Sequence, residues 1–132
     1  MTRIVVRWLL TAMYLAAGIA HLRSPQFFLP ITPGWVPAPE AVILWTGIVE
    51  LAGAAALAQP FSPALRRLAG RSLAAYALCV WPANISHMLI DDGANLGHHI
   101  PRMIAQPLFI WAALWSSGAI EWPWRRKPDA AH

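Results

Sequence analysis

Six polar side chains are set in or beside apolar runs of this chain: His21, Glu50, Asn84, His87, Arg102 and Gln106. A carboxylate, two imidazoles, a guanidinium and two carboxamides can move a proton or hold a polar ligand. They can also satisfy one another. They supply no nucleophile with a base beside it, so a binding role is favoured over catalysis. Glu50 is the most informative of them and the one catalytic candidate. It lies in residues 41–58, AVILWTGIVELAGAAALA, which as a helix at about 1.5 Å per residue is about 27 Å long, close to a bilayer's hydrocarbon thickness. A carboxylate at that depth costs roughly 2.5–3.5 kcal/mol unless it is protonated, paired or facing a wet cavity. Gly47, Gly53 and Ala54 share its helical face, so the acid is expected to point inward, onto small residues that let another helix approach.

The elements that must position these groups are membrane helices. The 132 residues are 58% hydrophobic and 12% charged, against about 25% charged in an ordinary soluble domain. The chain is short enough for one domain, residues 1–132. Its ten Lys and Arg stand in short groups between apolar runs, which argues for topology signals and against a nucleic-acid surface. The single cysteine, Cys79, excludes a disulfide or a CxxC dithiol within one chain.

Spans are predicted at residues 4–21, 41–58, 68–90 and 102–120, with a solvated tail at 121–132. Arg7, Thr11, Tyr14, Gly18 and His21 draw one polar stripe along the first. Arg3, the apolar core, Gly18 and Ala20 mimic a signal peptide, but Arg7 and Tyr14 interrupt that core, so the segment is expected to stay in the mature protein. Residues 22–39 contain five prolines and form a loop whose Phe27, Phe28 and Trp35 suit the bundle mouth or the headgroup region. Pro82 should kink the third span and free a carbonyl for a neighbour. Residues 91–101 read as a polar turn, with His98 and His99 solvated in it. Trp122 and Trp124 mark the exit of the fourth span.

The expected fold is therefore all-α, an integral membrane antiparallel four-helix bundle. Arg3, Arg7, Arg66, Arg67, Arg71, Arg125, Arg126 and Lys127 fall on one side, and only Arg23 and Arg102 on the other, so both termini should be cytoplasmic. All six polar residues then lie between the membrane midplane and the outer face, where they would share one interior network. Glu50 is expected to pair with Arg102 or His21, with Arg7 and Arg71 as competitors from the inner side. Residues such as Asn84 and Gln106 are more often interhelical bonds, worth roughly 0.6 kcal/mol each, than ligand contacts. His21 and His87 could each bind haem or a metal. No HExxH or CxxCH motif accompanies them, and no metal site is expected.

The pattern GIAHLRSP, the proline-rich loop, TGIVELAGAAAL, WPANI and RMIAQPLFIW resembles the DoxX-like family of small bacterial membrane proteins. The resemblance runs from Gly18 to Trp111, through His21, Pro25, Gly47, Glu50, Pro82, Ala83, Asn84, Arg102 and Gln106. Leu22 and Trp81 depart from it, since the family usually has phenylalanine at both positions. It implies a four-helix protein of the bacterial inner membrane. Some members are associated with thiosulfate:quinone oxidoreductase, others with oxidative-stress complexes or respiratory maturation. Three functions follow as expectations. The first is a binding or accessory protein for membrane redox processes, holding a small amphipathic ligand such as a quinone on His21, Glu50, Asn84, His87, Arg102 and Gln106. The second is an enzyme acting on a lipid-soluble substrate with Glu50 as acid or base. The third is a structural protein whose polar core fixes helix register. The expected partners are the lipid bilayer and a membrane oxidoreductase, with no nucleic acid.

Overall fold

The structure is a computed structural model that describes residues 1–91 and 95–122. Gly93 of the expected turn, and Trp124, Arg125, Arg126 and Lys127 of the expected tail, lie outside the described residues. The described chain is helical without strands: α1 is Thr2–Arg23, α2 is Pro39–Ala58, α3 is Pro63–Ile90 and α4 is Leu96–Ser116. Two short 3-10 turns, Pro25–Phe27 and Leu29–Ile31, break the proline-rich connection between α1 and α2.

Local chemistry sets the helix ends. α2 opens with Pro39 in its first turn after Ala38, a non-glycine residue at φ 46°. It stops before Pro60, where Gln59 braces the turn: its Oε1 accepts from Ser62 N at 2.8 Å and its Nε2 donates to Ser62 O at 2.8 Å. Ser62 then caps α3, its hydroxyl accepting from Leu65 N at 3.2 Å. α3 thus begins at Pro63 rather than at residue 68, because the cap and the helix-favouring Arg66 and Arg67 extend the helix beyond the apolar run. α4 likewise begins at Leu96 rather than 102, so residues 96–101 of the expected polar turn are helical. It ends at Ser116 rather than 120, where Gly118 turns left-handed at φ 80°. There Ala119 N donates to Leu114 O at 2.9 Å and Gly118 N to Trp115 O at 3.2 Å, which closes a Schellman motif.

α1 packs chiefly on α2 and α3 chiefly on α4, with α2 against α3 and α1 against α4 closing the ring. Leu10, Tyr14, Ala54, Leu57, Ala69, Leu73 and Ala113 form the buried apolar cluster at one end of the helices. Small residues permit this closeness. A methyl group on Gly70 would run into the Ser117 side chain and the Ala113 carbonyl, and one on Gly47 would lie 3.1 Å from the Gly18 carbonyl oxygen.

α1, α2 and α3 are long and apolar enough to cross a membrane, with mean hydropathies of 1.5, 1.9 and 1.4 in their most apolar windows. Only 22%, 28% and 17% of those windows are buried within the molecule, so most of this apolar surface faces outward, as lipid contact requires. These helices mark the chain as a membrane protein. α4, expected as a fourth span, is not among them: His98, His99, Arg102 and Gln106 occupy its first half.

Candidate functional site

Away from the apolar cluster, α1, α2, α3 and α4 surround a cavity of about 410 Å³. His21, Glu50, Asn84, His87 and Arg102 all line it, together with Tyr76, Thr46 and Cys79 and an apolar wall that includes Ile43, Val80 and Ala83. Phe28, Trp35 and Val36 of the proline-rich segment complete the wall. Phe27, expected with Phe28 and Trp35 at the bundle mouth or in the headgroup region, is exposed and does not line the cavity.

One wall is built on Glu50, which is only 5% exposed. Its Oε1 accepts a hydrogen bond from Tyr76 Oη at 2.8 Å, and its Oε2 lies 2.9 Å from His21 Nδ1. His21 Nδ1 is also 2.9 Å from the Ala17 carbonyl, one turn back in α1. The ring proton is directed at that carbonyl, so Oε2 sits at ion-pair distance with no donor aligned on it. A buried carboxylate oxygen in this state retains capacity for another donor. The His21 ring is held by stacking on Phe28, with centroids 3.9 Å apart. The close approach of Gly18 and Gly47 brings α1 near enough to α2 for His21 to reach the acid.

The facing wall is built on Arg102. Its Nη2 donates to Asn84 Oδ1 at 2.6 Å, and its Nη1 lies 3.2 Å from His87 Nδ1. A guanidinium only donates, so His87 Nδ1 is the acceptor and the ring proton belongs on Nε2. The two walls present opposite chemistry: an under-donated carboxylate on one side, and a cationic group with a carboxamide on the other.

Not every sequence expectation is met. Of the two partners expected for Glu50, His21 is present and Arg102 is not; Arg102 is drawn to Asn84 and His87 across the α3–α4 contact. Arg7 and Arg71 take no part in the Glu50 cluster. Gln106 does not line the main cavity. Its Nε2 donates to the Ala77 carbonyl at 2.6 Å, tying α4 to α3, and it borders a separate pocket of about 330 Å³ with Asn84 and Arg102. The carbonyl it satisfies is one residue before Leu78, whose own i+4 donor Pro82 lacks. Tyr76 was not anticipated. Its helical spacing with Asn84 and His87, and the need of a buried phenol for a partner, were the available signals.

His99 also departs from expectation. It is 1% exposed rather than solvated, because the first turn of α4 folds it against α3. Its Nε2 lies 3.0 Å from Asp91 Oδ2, which also accepts from Asn95 Nδ2 at 3.0 Å. The Asn95 hydrogen bond, and after it that of His99, holds the Asp91 carboxyl below the usual carboxylate range.

A family model described as "Domain of unknown function (DUF8561)" matches residues 10–117, most of the chain. The chain belongs to the DUF8561 family. The matched stretch includes both walls of the cavity, from His21 to Arg102. No curated protein matches the chain. No solved structure matches it either.

Proposed function

We propose that this DUF8561 protein is a DoxX-like four-helix protein of the bacterial inner membrane. On this reading its cavity holds a small amphipathic, quinone-like ligand, on its own or as an accessory to a membrane oxidoreductase. The observation that carries the reading is the cavity itself. Its volume, about 410 Å³, falls within the roughly 300–1,000 Å³ of small-molecule sites. Its walls are mostly apolar, with polar groups converging from two sides. A ring carrying two oxygens, at least one of them a hydroxyl, would accept from the Arg102 guanidinium at one oxygen and donate from its hydroxyl to Glu50 Oε2, which has no hydrogen-bond donor aligned on it. An apolar tail would leave between helices that already present apolar surface to lipid. The resemblance to DoxX-like proteins supports the same assignment, since most of its recurring polar positions line this cavity.

α4 is the fourth span on this proposal, with its polar first half turned inward and both termini cytoplasmic. Reporter fusions at the C-terminus and beside Arg66 should report cytoplasm, and a fusion near Gly97 the outer side; an external C-terminus overturns the orientation. The ligand reading is tested by purifying the protein in mild detergent and identifying what copurifies by mass spectrometry. A quinone-like amphipath at close to one per chain is expected. An extract no richer in such molecules than bulk membrane rejects the reading. Glu50 held between Tyr76 and His21 also favours a second reading, in which the acid exchanges a proton with a lipid-soluble substrate. Chemically altered lipid in the extract would select it.

A further inference from the structure

We propose that His87, Asp91 and His99 form a site for a divalent transition-metal ion at the corner between α3 and α4. The proposal does not depend on what occupies the cavity, although His87 belongs to both places. His87 and Asp91 stand one helical turn apart on α3 and its end, and His99 comes from the first turn of α4. One ligating atom from each lies within 4.8 Å of the other two. Two imidazole nitrogens and one carboxylate oxygen are the donor set of zinc and of non-haem iron, and they favour such ions over magnesium or calcium.

The geometry fits an ion without refolding. Donors about 2.0–2.2 Å from a metal stand roughly 3.0–3.5 Å from each other. His99 Nε2 and Asp91 Oδ2 are already 3.0 Å apart. The third donor has at most roughly 1–2 Å to close to reach that spacing. His99 is held in place by burial, whereas the Asp91 side chain is 36% exposed and leaves a path for an ion from solvent. Asn95, donating to Asp91 Oδ2, supplies the outer hydrogen bond that orients a carboxylate ligand.

Arg102 gives the site a distinguishing feature. Its guanidinium contacts His87 Nδ1 at 3.2 Å, which fixes the imidazole proton on Nε2 and sets a positive charge beside the ion's position. Metal and Arg102 therefore compete for His87. A purely hydrogen-bonded cluster has no such competition to relieve.

The test is calorimetric titration of zinc chloride into the full chain in detergent after chelator treatment and dialysis. One zinc per chain is expected. Asp91→Asn and His99→Gln should weaken it by on the order of tenfold or more, His98→Gln should leave it unchanged, and Arg102→Gln should tighten it by on the order of tenfold. Because His99 is buried, helicity by circular dichroism accompanies each variant. If His99→Gln does not fold, the near-isosteric Asp91→Asn decides. A parent chain that takes up no zinc, or uptake unchanged in folded Asp91→Asn, overturns the proposal.

Discussion

At one end of the helices Leu10, Ala54, Leu57, Ala69, Leu73 and Ala113 close on one another. At the other, the same four helices stand around a cavity of about 410 Å³ rimmed by Glu50, His21, Asn84, His87 and Arg102. The difference follows from side-chain size and polarity along each helix. In α2, Ala54 and Leu57 face the closed end, whereas Ile43, Thr46 and Glu50 face the open one. In α3, Ala69, Gly70 and Leu73 give way to Tyr76, Asn84 and His87. Stability alone would fill the open end, because a void forfeits contacts on every wall. Keeping it open and polar is what the proposed binding requires, so on that proposal the closed end carries stability and the open end carries function.

The largest expected effect lies at the closed end. Leu57→Ala, at a position with 0% exposure, should lower unfolding stability in detergent by about 2–5 kcal/mol. Val80→Ala on the cavity wall should cost under about 1.5 kcal/mol, since it borders space that is already empty. Equal losses in the two melting curves would erase the contrast between the ends.

A smaller effect is expected where the ends are coupled. Gly47→Ala would place its methyl 2.9 Å from His21 Cβ and 3.1 Å from the Gly18 carbonyl oxygen. That should cost about 1–3 kcal/mol by overpacking and shift His21 away from Glu50. The three atoms nearest a methyl on Gly53 all belong to the Leu73 side chain, away from His21 and Glu50. Ligand retention should therefore fall in Gly47→Ala and persist in Gly53→Ala, and the opposite ranking would show that the glycine contact does not position His21.

Smallest of all should be Arg3→Ala. Its ion pair with Glu121, at 2.9 Å, joins a half-buried arginine to an exposed carboxylate. The arginine also donates to the Ile120 carbonyl and lies over the Trp115 ring, and the change should stay within about 1 kcal/mol in the same melting assay. A larger loss would mean that the far terminus, and not the apolar cluster, holds the closed end together.

Much of this contrast was legible in the sequence. The inward face of α2 could be read because Gly47, Glu50 and Ala54 recur at helical spacing and an acid in an apolar run must turn inward. The convergence of His21, Glu50, Asn84, His87 and Arg102 followed from their matched positions along antiparallel helices. Pairwise partners were not legible. Arg102 is long enough for several acceptors, and only the packing of α3 on α4 selects Asn84 and His87. Tyr76 was missed because a buried phenol's need for a partner, though a signal, does not say that the partner is a carboxylate on another helix. The buried state of His99 depended on where α4 begins, and Gly93 and Gly97 suggested a turn running on to residue 101, where residues 96–101 are helical.

The central claim, that the open end exists to bind a ligand through the Glu50 carboxylate, is tested most directly with a short-tailed quinol, whose hydroxyl can donate to that carboxylate. It is titrated into the protein in lipid nanodiscs, comparing the parent with Glu50→Gln and Glu50→Ala. Glu50→Gln preserves shape and most hydrogen bonding and should melt near the parent. The account predicts saturable binding at one quinol per chain in the parent, and loss of binding in Glu50→Gln as severe as in Glu50→Ala. No saturable binding in the parent, or parent-like affinity in Glu50→Gln, would contradict it.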